Sequence, residues 1–183
     1  VDSNIMPLLN YELMDNARAQ IDSIMDGLAG VIGSIKNKAR YTIVTAIYSQ
    51  AFANDELIPV YWQSIGESTC DGTFNPAYPT RLTVPRGVKK VRVMGSILFS
   101  GSTDTNERLM QIRKNGVDIP YAMPEMRASN VSDSPYMALQ VASPIISVNE
   151  GEYFELICRQ KSGAALSTAV DNSVNWFYME VVE

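Results

Sequence analysis

Histidine is missing from all 183 residues. Its absence removes Ser–His and Cys–His nucleophile pairs, histidine metal ligands and the commonest general base. Cysteine is nearly absent: Cys70 and Cys158 are the only two. Neither has a partner at zinc-like spacing, and two do not make a disulfide framework, so reduced thiols are expected. Charge is scarce. Charged residues are 19% of the chain, which hints at buried subunit surface, and the net charge of −5 argues against a nucleic-acid partner. No apolar run approaches the roughly 20 residues of a membrane span, so membrane insertion is not expected. A phosphate loop is missing too, because Arg86-Gly87-Val88-Lys89 lacks the first glycine and the Ser/Thr its mechanism requires. No signal peptide is visible, and Val1 in first place is expected of a processed or truncated piece of something longer. These absences point away from an enzyme, a metal site or a cofactor.

The first forty residues carry a helical period. Met14, Ala17, Ile21, Ile24, Leu28, Val31 and Ile35 recur at alternating spacings of three and four, with Asn10 as N-cap. Asp15, Asp22 and Asp26 come early and Lys36, Lys38 and Arg40 late, as the helix dipole prefers. Isoleucine in both seam positions, at Ile21 and Ile24, favours a parallel trimer. Gly27, Gly30 and Gly33 each cost about 1 kcal/mol against alanine. The competing reading is an amphipathic helix packed on its own domain. The expected division is a helical stalk over 1–40, a collar with the first strands over 41–73 and a β head over 74–183.

Beyond Lys38 the period becomes two. Val91, Val93, Ile97 and Phe99 share one face, with Lys90, Arg92 and Ser96 on the other. Met110 and Ile112 point inward before the tight-turn signal Asn115-Gly116. Met137, Leu139 and Val141 alternate, and after Asn149-Glu150-Gly151 so do Phe154, Leu156 and Cys158. Phe177, Met179 and Val181 close the chain on one face, with Trp176 and Tyr178 on the other. Leu57–Trp62 is a short edge candidate, while 64–80 and 120–135 read as loops. The expected class is mainly β: an antiparallel β-sandwich of about eight strands behind an N-terminal helical, coiled-coil stalk.

The order "TVP", "GVKKVRV", "QIRKNGV", "VNEGEYFEL" and an aromatic last strand resembles the jelly-roll heads shared by tumour necrosis factor and the globular heads of complement. More narrowly, it resembles the version at the tips of bacteriophage fibres, spikes and tail needles. The resemblance covers roughly 74–182. It implies a homotrimeric virion protein assembled in the bacterial cytoplasm, whose head attaches to a host surface glycan or protein. Its N-terminal segment would meet other virion proteins. Alternatives are a capsid decoration or tail plug that binds no receptor, and a glycan-degrading spike. Given the implied trimer, Trp176 and Tyr178, joined by Tyr153, are expected at a head interface. The competing reading packs them under a loop. Tyr121, Met123, Met126, Arg127 and Tyr136, in or beside the long loop, are expected either to contact a receptor or to anchor that loop. Asp104, Glu107 and Asp133 are hard oxygen ligands without a calcium-loop pattern, so solvated turns are expected there.

Overall fold

Apolar alternation over six or more residues makes a strand with one buried face, and this head is built around such strands. The computed structural model describes residues 5–36, 40–100, 107–123, 125–127 and 136–183, with side chains over 14–30 of the helix and none over 125–127. The chain divides into two compact units, Val1–Lys38 and Ala39–Glu183.

The first unit is the helix α1, Ile5–Lys36. It begins earlier than expected, and Asn10 lies inside it instead of capping it. Pro7 falls in the first turn, where its missing N–H has no helical partner to lose. No helix among the described residues is long and apolar enough to cross a membrane.

The second unit contains β1 (Arg40–Thr45), β2 (Ala51–Phe52), β3 (Ile58–Pro59), β4 (Ser64–Ser68), β5 (Arg81–Thr83), β6 (Lys90–Ser100) and β7 (Glu107–Lys114). It continues with β8 (Val117–Asp118), β9 (Glu125–Arg127), β10 (Met137–Ala142), β11 (Ile146–Ser147), β12 (Tyr153–Gln160), β13 (Leu166–Thr168) and β14 (Trp176–Val181). The excess over about eight strands consists mostly of two- and three-residue pieces, too short to show an alternation. The larger sheet centres on β6. One edge pairs with β14, from Trp176↔Ser96 to Val181↔Val91, and further along with β13. The other edge pairs with β10 and β11. Beyond β14 come β1 and then β4, and β2 extends from β13. In the smaller sheet, β12 holds β3 and β5 on one edge and β7 on the other, and β7 pairs onward with β8 and β9. All these pairings are antiparallel, and from β5 onward the chain crosses repeatedly between the sheets, as a jelly roll does. Residues 41–73 are not a separate collar: β1, β2 and β4 are hydrogen-bonded into the larger sheet and β3 into the smaller.

The inward sides meet as predicted. Val91, Val93, Ile97 and Phe99 of β6 pack with Phe154, Leu156 and Cys158 of β12 and with Phe177 and Met179 of β14. Trp62 stacks on Phe177 at 5.7 Å, and Phe52 meets Phe99 edge-on at 5.6 Å. Each such pair adds about 1 kcal/mol beyond the area it buries. The sheets come closest at Gly95, where a Cβ would stand 2.8 Å from a Leu156 methyl. Asn115 and Gly116 turn the β7–β8 hairpin with φ of 51° and 79°, the pair of positive values a type I′ turn needs. Both cysteines are buried and free. Burial pushes the Cys158 thiol far up, so it stays protonated and unreactive.

Candidate functional site

A sandwich has two outer faces, and these two differ in chemistry. On the larger sheet the outward residues form rows fixed by register: Ala142, Met94, Tyr178 and Ile43 in one, and Gln140, Ser96, Trp176 and Thr45 in the next. Tyr41 and Leu98 flank them. Trp176, Tyr178, Tyr41, Ile43, Met94 and Leu98 are all half-buried, and the Tyr41 and Tyr178 rings lie 5.6 Å apart. A hydrogen bond to Glu67, with partial burial, pushes the Tyr41 phenol up; loss of solvent and the Glu180 charge do the same to Tyr178. Both therefore stay neutral at ordinary pH. Charge on this sheet gathers at the end where β1 enters, as the pairs Arg92–Glu180 at 3.7 Å and Lys90–Glu183. Arg86, Lys89, Lys90 and Arg92 are exposed.

The smaller sheet's outer face is laced with ion pairs. Arg81 meets Glu155 at 3.3 Å, Arg113 meets Asp118 at 2.6 Å, and Glu107 takes Arg159 and Lys161. Partial burial opposes ionisation of Glu107, but the Arg159 hydrogen bond and the Lys161 charge outweigh it and hold the carboxyl below its ordinary range. Glu107 is thus engaged by cations, not poised for calcium. Among the described residues no group of three or more acidic or cysteine side chains could hold a metal ion. Asp104 and Asp133 lie outside the described residues.

The expected interface trio is split. Trp176 and Tyr178 share the larger sheet's outer face, joined by Tyr41, but Tyr153 stands on the smaller sheet. Its ring is capped by the Arg81 guanidinium at 3.9 Å. Outward parity within a strand is legible in sequence; which sheet that strand joins is not. Sequence reasoning missed Tyr41, Ile43, Met94 and Leu98. The signal was present in β6, where Met94 and Leu98 are apolar on the side opposite Val93 and Ile97.

The loop residues fall between β8 and β10 in the chain. Ile119 and Ala122 are buried, tied by Ile119 N–H to Ile112 O at 3.1 Å and Ile112 N–H to Ala122 O at 3.1 Å. Between them Tyr121 is thrown outward, 96% exposed, with φ of +66°. That conformation is rare for a bulky side chain. Met123 is exposed beside it. Met126 and Arg127 lie in β9 opposite Arg108 and Glu107; their side chains are outside the described residues. Tyr136, also exposed, stands just before β10. In α1, Met14, Ile21, Ile24 and Leu28 are 52–69% exposed and Ala17 is exposed; the side chains of Val31 and Ile35 are outside the described residues.

No protein-family model matches the chain, and no curated protein sequence matches it. Solved structures do. Two crystal structures of murine APRIL, at pH 8.5 and pH 8.0, are each 11% identical and cover 79% of this chain and all of that one. Their TM-scores are 0.56 and 0.55. At that identity the likeness is one of fold: the β unit has a jelly-roll fold like that of tumour necrosis factor.

Proposed function

We propose that the protein is a structural component of a bacteriophage or phage-like particle, a homotrimeric fibre or spike whose α1 is a coiled-coil stalk and whose head attaches to a host surface. The observation that carries the reading is the pair of uncovered apolar surfaces. The α1 seam of Met14, Ile21, Ile24 and Leu28 is exposed, and the larger sheet presents Tyr41, Ile43, Met94, Trp176 and Tyr178 outward while the smaller sheet covers itself with ion pairs. Apolar patches of this kind mark association surfaces. Copies of this chain are the occupants, because the seam's spacing is self-complementary and Ile at both seam positions favours three strands. Tyr121, held outward by its buried neighbours, is a rigid contact point for a surface ligand, and three weak contacts on one trimer give avidity.

Light scattering on the size-fractionated full chain tests the assembly, with the trimer mass expected. Ile21→Asp with Ile24→Asp, and separately Trp176→Glu, should lower it. A stable monomer at micromolar concentration would overturn the trimer and the stalk with it. Adsorption of the labelled trimer to a panel of bacterial cells tests attachment. A trimer that adsorbs to no cell would instead be a cap or plug.

A further inference from the structure

At the end of β6 opposite Val91, where β13 and the turn before β14 meet the larger sheet, lies a cavity of about 500 Å³. It lies about 30 Å along the strand from where β1 enters, at 3.3 Å per residue. Its volume falls within the range of small-molecule sites. Ser49, Leu98, Ser100, Tyr136, Thr168 and Asp171 line it, with Ala169 and Val170.

The walls are fixed from behind. Asn175, fully buried, donates from Nδ2 to Ala169 O at 2.6 Å and accepts at Oδ1 from Leu98 N–H at 2.7 Å. Ala169 N–H in turn donates to Leu98 O at 2.8 Å. The turn is therefore clamped to β6, and the cavity is preformed. Its hydroxyls are already oriented: Ser49 Oγ donates to Thr168 O at 2.7 Å and Ser100 Oγ to Ser167 O at 3.1 Å. With those protons committed, both serines turn lone pairs to the cavity. Asp171 Oδ1 accepts from Ser173 N–H at 2.9 Å and Ser173 Oγ at 2.6 Å, which leaves Oδ2 for a ligand. Those two bonds hold the Asp171 carboxyl below its ordinary range, so it is ionised at neutral pH. No lysine or arginine is among the described lining residues.

Among its described lining residues the cavity offers acceptors, one carboxylate and no cation, a lining that suits a ligand that brings donors better than it suits an anion. The Leu98 side chain and the exposed Tyr136 ring add an apolar wall. A ring with hydroxyls on its edge and C–H bonds on its face satisfies both requirements. We infer that this cavity is a binding site for a neutral saccharide unit, whose hydroxyls donate to Asp171, Ser49 and Ser100 and whose C–H face lies against Tyr136. The inference rests on the attachment reading and gives it a ligand class and a place apart from Tyr121. A cationic amine would also meet a carboxylate, but here Asp171 already shares its charge with Ser173 and no second acid is among the described lining residues.

Saturation-transfer NMR on the full-length protein tests it with D-glucose, D-galactose and N-acetyl-D-glucosamine as neutral probes, N-acetylneuraminic acid as the anionic one and choline chloride as the cationic one. At least one neutral sugar should bind saturably. Asp171→Asn and Tyr136→Ala should each weaken it about tenfold or more, as loss of a charge-assisted bond or of a stacking face does. Both variants should melt with the parent, because the amide oxygen that replaces the Asp171 carboxylate can still accept from Ser173 and Tyr136 is exposed. Tyr121→Ala should leave sugar binding unchanged. No saturable neutral sugar, tighter binding of the acid or of choline, or undiminished binding in both cavity variants would overturn the inference. Sugar binding without cell adsorption would sink attachment alone, and adsorption untouched by the cavity variants would sink the cavity alone.

Discussion

Gly95 offers a quantitative test of how closely the two sheets are packed. It sits mid-strand in β6, buried, between Val141 of β10 and Phe177 of β14. A Cβ there would stand 2.8 and 3.0 Å from the two Leu156 methyls and 3.4 Å from Phe177. Because both methyls are in the way, a rotation that removes one brings in the other, and Leu156 is itself fully buried. Overpacking of this kind costs about 1–3 kcal/mol, while alanine gains about 0.4–1 by restricting the unfolded chain. Gly95→Ala should therefore destabilise by about 1–2 kcal/mol. For a unit of this size that lowers the melting temperature by about 3–6 °C. The assay is thermal and urea unfolding at fixed protein concentration, since association shifts apparent stability. The decisive arm is Leu156→Ala, which alone should cost about 2–5 kcal/mol by opening a cavity. In that background the added methyl enters vacated space, so its cost should vanish and the cycle should show coupling of about 1 kcal/mol or more. A Gly95→Ala protein as stable as the parent, or a cost unchanged by Leu156→Ala, would refute the packing argument.

Four further outcomes follow from the same head. Gly116→Ala should lose about 1–2 kcal/mol in urea unfolding from its positive φ alone, because the new Cβ meets nothing nearer than Tyr153 Oη at 3.9 Å. Asn115→Ala should also lose the bond from Tyr153 N–H to Asn115 Oδ1 at 2.9 Å. Trp62 is buried with its Nε1 unpartnered, so Trp62→Phe should stay within about 1–2 kcal/mol of the parent while Trp62→Ala loses about 3–5, both read from denaturant midpoints. Glu107 and Glu152 are held below the ordinary carboxyl value of 4.5: burial opposes ionisation in each, but Arg159 and Lys161 in one, and Lys114 with the Asn149 N–H in the other, outweigh it. Depressed values mean that their stabilisation is complete above the unfolded value and is lost as pH falls through the folded one. Melting temperature should therefore drop below about pH 4.5, and Glu107→Gln with Glu152→Gln should flatten that acid limb.

What could be read from the chain tracks what depends on local pattern. β6, β7, β10, β12 and β14 were legible because each alternates long enough to declare a buried face, and their inward residues meet as expected. β4 was not: Ser64–Ser68 is half-buried or exposed throughout, so it has no apolar face to announce it, and only pairing with β1 makes it a strand. The helix was legible in its seam, but its start was misplaced because Asn10 resembles a cap while Pro7 suits a first turn equally well. At the candidate site, Trp176 and Tyr178 were found by parity. Tyr153 has the same outward parity, and its separation from them is set by the pairing of β12 with β7 and β5, which spans tens of residues. Of the saccharide cavity only Tyr136 stood out in sequence, since the lining comes from segments more than a hundred residues apart and its acceptors are made by backbone carbonyls capturing serine protons.

The pairing of β1 with β14 also sets the order in which the molecule can be made. Arg40–Thr45 aligns with Trp176–Val181, so the first strand of the head can take β4 on one edge early but keeps its other edge open until Trp176–Val181 has been made. β6 likewise keeps an open edge until then. Contacts this distant in sequence make folding slow, and a nascent chain would carry unpaired strand edges throughout synthesis. α1, whose bonds are all local, is complete as soon as it leaves the ribosome. Helix first and head last is therefore the temporal sequence built into the topology, and a chain stopped before Trp176 would hold a helix but no closed sheet.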